Sequence, residues 1–349
     1  MAIVVLGDSL PAWMMAAQAS ADSEDVVQLV APDLSPGTRA LVVETLAGRR
    51  AARVQTRPDL PPVSPLADAV IVVSDELGRS RDLVSTYLDG LADRLVLLAP
   101  GGAGGTVLAQ QRFVERGLTP PILGETTGLP VLGSLQDGVA VVTSRKHGLP
   151  IGAARTDAAA TLVHAFGHVL PGATAASSIL ATSLANTNSI VHPGLAIANA
   201  ARIEGGVPFR FYREGLTTAG VRLIEAVDTE RLEVTDALGL EHVPVMTWFD
   251  RFYGHMGIAG SDIGEMLRTF APFDKSQAPT SMHHRYVVDD IGSGLAIIEA
   301  LGLELGFEMA TIGALCTIGS QIVGLDLRAG AASTAARLLA TPALVNSVA

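Results

Sequence analysis

Residues 2–13, "AIVVLGDSLPAW", decide the fold: an apolar run of strand character ends at Gly7 and passes at once into Ser9, Leu10 and Pro11, a combination that starts helices. Strand, glycine turn and helix together form the repeating unit of parallel sheets. Four further short runs follow: "VVQLVAP" (26–32), "AVIVVS" (69–74), "RLVLLAPG" (94–101) and "GVAVVTS" (138–144), each rich in Val, Leu or Ile and set apart by helix-like text. Strands that are apolar on both faces belong to a parallel sheet covered by helices. The first half therefore reads as an α/β, doubly wound, Rossmann-like domain. From about Thr174 the text becomes long, Ala/Leu-rich and mainly helical, as in "SSILATSLANTNSIV" (177–191) and "AGVRLIEAVDTERLEVTDAL" (219–238). Pro171 and Gly172 punctuate the change, which predicts a dinucleotide-binding domain over 1–171 and a helical catalytic or substrate domain over 172–349.

Composition narrows the function. The 349 residues suffice for two cores, and 48% hydrophobic against 4% aromatic residues predicts interiors of Ala, Val, Leu and Ile. A net charge of −11 without any Lys/Arg run argues against a nucleic-acid surface, because phosphate binding needs clustered cations. Cys316 is the only cysteine, so neither an internal disulfide nor a thiolate metal site is expected. No secretory signal is expected either: Asp8 falls where an apolar signal core would lie, and a basic stretch is missing before it. The apolar run around Cys316 is bracketed by Glu308 and Asp326 and is shorter than the roughly 20 residues that span a bilayer. These features predict a cytoplasmic protein, no membrane partner and small-molecule substrates. The low-charge helical half is compatible with a homodimer interface.

The opening turn carries part of a dinucleotide fingerprint. In the frame G-x-G-x-x-G/A the three positions are Gly7, Ser9 and Ala12. Gly7 and Ala12 suit the tight turn and the close helix–strand packing, whereas Ser9 puts a side chain where backbone usually meets pyrophosphate. Asp8 adds a negative charge beside it. Asp33, after the second strand, stands near where an acidic residue contacts the adenosine ribose, while Arg39 could accept a 2′-phosphate, so NAD and NADP both stay open. "APGGAGG" (99–105) offers Gly101 and Gly102 in a second glycine turn whose amides could face a dinucleotide; a plain flexible turn is the alternative.

Polar residues of the helical half suggest proton-transfer chemistry. In "LANTNSIVHPG" (184–194) Asn188 and His192 are four apart and share a helical face, and Pro193 removes the amide that would bond the Ser189 carbonyl. In "HHRYVVDDIGSGLAIIEAL" (283–301) Arg285 can hold a carboxylate through two parallel N–H bonds. Asp289 or Asp290 could cap the following helix, or pair with His192, fix its tautomer and favour the imidazolium. "HAFGH" places His164 and His168 at a chelating spacing, but a third ligand does not stand out and no metal is expected. Lys146, in "TSRKHGLP" (143–150), could face the cleft from the end of a strand, or be an exposed loop residue without a function.

"NTNSIVHP", "GGVPFRFYREGLT" and "HHRYVVDD", in this order, resemble the helical domain of the opine dehydrogenases, the octopine and nopaline dehydrogenase family. "PGGAGG" and "GETTGLP" extend the resemblance into the first half. Such enzymes join the amine of an amino acid to a 2-oxo acid and reduce the imine with NAD(P)H, at a cleft between two domains. The resemblance implies His192 as catalytic histidine, Asp290 as its partner and Arg285 as the holder of the amino-acid carboxylate. Tyr212 and Trp248 are further candidates for the substrate pocket. In the opening turn, "GDSLPAW" differs from the family's glycine-rich pattern. Two other readings remain at this point: a relative that has lost hydride transfer and does imine or proton-transfer chemistry without cofactor, and a non-catalytic binding subunit.

Overall fold

A computed structural model describes residues 3–63, 68–154 and 156–341. The outer ends of the two expected domains, 1–2 and 342–349, lie outside them. The chain divides into a sheet unit, which takes the described residues up to Gly101 and Gly105–Thr182, and a helical unit of Gly102–Gly104 and the described residues from Ser183 onward.

The sheet unit contains β1 (Ile3–Leu6), β2 (Val26–Val30), β3 (Gly37–Thr45), β4 (Gly48–Arg57), β5 (Ala69–Val73), β6 (Leu95–Ala99), β7 (Ile122–Thr126), β8 (Val131–Gln136), β9 (Val139–Arg145), β10 (Pro150–Ala153) and β11 (Thr174–Ala175). Their order is β11-β10-β7-β6-β5-β1-β2-β4-β3-β9-β8. From β7 to β4 neighbouring strands run parallel, as the apolar runs predict. In β1 alternate residues serve two cores: Ile3 and Val5 pack with the helices Leu10–Ser23 and Thr156–Phe166, while Val4 and Leu6 pack on the opposite face with Leu83, Val84 and Phe113. A sheet with a core on each face is the doubly wound arrangement.

The chain proceeds from β1 to β2 on one side and, after the β3–β4 hairpin, from β5 to β6 and β7 on the other. Strand order therefore reverses at β1/β5, and such a switch point is where open α/β sheets bind ligands, beyond the carboxyl ends of the strands.

Antiparallel pairing extends the sheet beyond what the apolar runs indicate: β3 pairs with β4, β8 with β9, and β10 with β7. "GVAVVTS" forms β9, which joins β3 and β8 far from the parallel centre. The β3–β4 hairpin escapes a search for apolar runs because β4 alternates buried Ala52, Val54 and Thr56 with exposed Arg53 and Gln55. Past the Pro171–Gly172 punctuation, β11 still adds to the sheet. The helical unit is built from helices that include Thr187–Ala198, Thr218–Ala237, Val245–Tyr253, Ala296–Glu304 and Ala310–Val323. Cys316 is buried on the last of these, and burial pushes its thiol up. No helix among the described residues is long and apolar enough to cross a membrane.

Candidate active site

The helix Thr187–Ala198 starts at Asn186, whose side chain accepts the Asn188 amide at 3.2 Å. Asn188 is half-buried, and His192 one turn later is 4% exposed. Pro193 sits inside the helix. The Ser189 carbonyl thus lacks the donor that an unbroken helix supplies.

The opposing segment brings the carboxylate. The Arg285 carbonyl accepts the amides of Asp289 (3.0 Å) and Asp290 (2.9 Å), and the short turn Val288–Asp290 then widens into a π-helical turn, Ile291–Leu295. Such turns are rare and recur at functional positions. Gly294 lies within it, where a Cβ would overlap the Ser189 hydroxyl, so the glycine is what lets the 187–198 helix come close. Asp290 Oδ2 consequently lies 2.7 Å from His192 Nδ1. The other ring nitrogen, Nε2, is 2.8 Å from Tyr212 Oη. Tyr286 stacks on the imidazole at 3.9 Å between centroids and 25° between planes, and Phe211 meets it edge-on at 6.1 Å.

Burial lowers the pKa of His192 below the ordinary histidine value, against the pull of the Asp290 carboxylate, and the Arg285 charge lowers it further. The Asp290 carboxylate does favour the imidazolium, as expected of the pair, but burial outweighs it and the ring favours its neutral form at pH 7. Nδ1–H then donates to Asp290, and Nε2 accepts the Tyr212 hydroxyl hydrogen. Burial raises the Tyr212 pKa well above its usual value, which keeps that hydroxyl a donor.

The other expected residues fall at varied distances from this centre. Arg285 is half-buried, its guanidinium carbon 5.0 Å from the Tyr286 ring centroid. Trp248 packs on Phe249, Phe252 and Tyr253 at 5.4, 4.7 and 6.0 Å, in an aromatic cluster that reaches Tyr212 through Phe273. Tyr286 and Phe211 were not singled out by sequence: both adjoin quoted candidates, but which ring stacks on which is set only by the fold. Lys146 is buried, which rules out the reading of an exposed loop residue. Its Nζ donates to the Leu129 carbonyl at 2.7 Å, and burial lowers its pKa to about 7.

In the sheet unit, a Cβ at Gly7 would overlap the Val73 carbonyl and stand 2.7 Å from Ala12 Cβ. Gly7 and Ala12 thus do fix close packing of helix on strand. Ser9 is the N-cap of the Leu10–Ser23 helix with Pro11 in its first turn, but its side chain makes no capping bond. Among the described residues the buried Ser9 Oγ finds no hydrogen-bond partner. Asp8 is ion-paired with Arg79, which also stands 3.8 Å from Asp33. Arg39 instead lies over the Trp13 ring, 5.1 Å from its centroid. At the second glycine turn, Gly101 N–H donates to the Thr126 carbonyl at 3.2 Å, and Gly102 has a left-handed φ of 71°. The buried Glu125 carboxylate accepts the Thr106 amide and hydroxyl, both at 2.9 Å, and so occupies the start of the Gly105–Glu115 helix.

An unpartnered hydroxyl at a helix start, a glycine without room for a side chain, and a position at the switch point of the sheet fit a dinucleotide at the opening turn.

Comparison with known proteins agrees with this architecture. Residues 175–323 match the family described as NAD/NADP octopine/nopaline dehydrogenase, alpha-helical domain. An opine dehydrogenase of Arthrobacter sp. (strain 1C) is 28% identical over 266 residues, 75% of this chain and 72% of that protein. Among solved structures, octopine dehydrogenase with NADH and L-arginine superposes with a TM-score of 0.70 at 16% identity, covering 93% of this chain and 90% of the other. Yersinopine dehydrogenase with NADP+ bound gives 0.71 at 14% identity, covering 97% and 99%. The helical domain, the sequence relatives and the fold all point the same way: the chain is similar to the opine dehydrogenases in sequence and shares the fold of their solved structures.

Proposed function

We propose that the protein is an NAD(P)H-dependent enzyme that condenses an amino acid with a 2-oxo acid and reduces the product to a secondary amine. The observation that carries this reading is the buried Tyr212–His192–Asp290 chain, with contacts of 2.8 and 2.7 Å on the two ring nitrogens. It rests also on the relatives, one of them crystallised with NADH and L-arginine.

The proton balance suits one histidine. An amino acid arrives as an ammonium ion, and neutral His192 accepts its proton at Nε2, replacing the Tyr212 hydrogen bond, while Asp290 stabilises the imidazolium that forms. The free amine adds to the oxo acid. The same proton then leaves His192 for the hydroxyl of the carbinolamine, and water departs. One group therefore serves as base and then as acid, with no net proton exchanged before reduction. Arg285 holds the amino-acid carboxylate, a pairing suited to its fork of donors. Asn188, Tyr212, Tyr286 and Trp248 shape the surroundings, Tyr212 by fixing the tautomer and Trp248 through the aromatic cluster. When bound, NAD(P)H supplies the hydride. Gly7, Ser9, Ala12 and Asp33 would hold it at the opening turn.

Oxidation of NAD(P)H that requires both an amino acid and a 2-oxo acid tests the reading. Its pH dependence is also set. The free enzyme must start with neutral His192, so kcat/KM for the amino acid falls as pH drops through the His192 pKa. That pKa is depressed, so the acid limb is expected to have its midpoint below the ordinary value of 6.5. A midpoint above 7 in a pH–rate profile would show that His192 begins as the imidazolium.

A further inference from the structure

Asp8 places a carboxylate on the turn after β1, at the strand-order reversal where a dinucleotide diphosphate lies in sheets of this topology. Two like charges there repel, so the chain needs a compensating group if it binds dinucleotide at all. Arg79 supplies one. It stands on the helix Leu77–Thr86, which follows β5, the other strand of the switch point. Its Nε donates to Asp8 Oδ1 at 3.4 Å and its Nη2 bonds Asp8 Oδ2, a two-pronged pair, while Nη2 lies 3.8 Å from Asp33 Oδ2. The Arg79 and Asp8 side chains are 30% and 28% exposed, so the pair stands at the surface of the turn and not in the core. The hydrogen bonds that Arg79 donates to Asp8, together with the nearby charges of Asp8, Asp33 and Asp82, keep the guanidinium firmly charged.

Resting on the proposed function, we infer that Arg79 makes this acidic turn competent for a dinucleotide diphosphate by neutralising Asp8. This chain carries the charge and its compensating group on two elements, 71 residues apart. Because the diphosphate is common to both cofactors, the effect does not discriminate between them.

The test is binding, not turnover, measured on the full chain by calorimetry with NADH, NADPH and ADP-ribose. Arg79→Gln is expected to weaken all three alike by about ten-fold or more, the scale of one uncompensated charge beside a phosphate. Arg79→Lys, which keeps the charge, should stay within about three-fold of wild type, and adding Asp8→Asn to Arg79→Gln should recover most of the loss. Wild-type affinity in Arg79→Gln, a loss confined to NADPH, or a double variant as weak as Arg79→Gln would each overturn the inference. A wild-type protein that binds none of the three would overturn the cofactor reading beneath it.

Discussion

Replacing His192 by asparagine is expected to lower kcat for the condensation by about two to four orders of magnitude, the usual worth of a positioned acid/base group. Dinucleotide affinity should hardly change, since the opening turn belongs to a different compact unit from His192. Asparagine keeps a polar group near Asp290 and Tyr212 in a site where all three wild-type residues are buried, so the loss should appear in turnover more than in folding. A variant with near-normal kcat would remove His192 from the chemistry. Equal loss of cofactor affinity and turnover would point to a folding defect instead, which thermal denaturation separates.

Asp290→Asn should act through His192 and not on substrate directly. The substitution keeps the side-chain shape but removes the acceptor charge that opposes desolvation of the ring. The His192 pKa, already depressed, should fall further, and the imidazolium needed midway through the reaction should be harder to form. The expected result is a fall in kcat of about a hundred-fold or more with the acid limb of the pH profile displaced to lower pH. Such residues act as a unit, so the double variant with His192→Asn should be little worse than His192→Asn alone. A purely structural aspartate would lower stability and leave the position of the limb unchanged.

Much of this arrangement is legible in the residue order. The parallel centre of the sheet follows from uninterrupted apolar runs, and the helical half from its Ala/Leu-rich text. His192, Asp290 and Arg285 stand out because their residue types and motif spacing are unusual for a core. Other features depend on contacts that no local pattern encodes. Arg79 meets Asp8 across 71 residues, and nothing near either one announces the partner. Glu125 and Thr106 come together only once β7 and the Gly105–Glu115 helix are in place. The direction of the His192 pKa was legible only in part: a carboxylate partner can be read from sequence, whereas the degree of burial that outweighs it cannot. Trp248 is conspicuous by rarity, yet its nearest rings are those of its own helix, Phe249, Phe252 and Tyr253.

The central claim is that hydride goes to a carbon–nitrogen double bond formed from two substrates. The most direct test is to supply NADH or NADPH carrying deuterium at the transferable position, together with a mixture of amino acids and one 2-oxo acid, and to identify the products by mass spectrometry. A secondary amine joining both substrates, with one deuterium on the former carbonyl carbon, is the result expected. Deuterium found only in a 2-hydroxy acid, whether or not amino acids are present, would mean that the protein reduces the carbonyl itself and that the condensing role given to His192 is wrong.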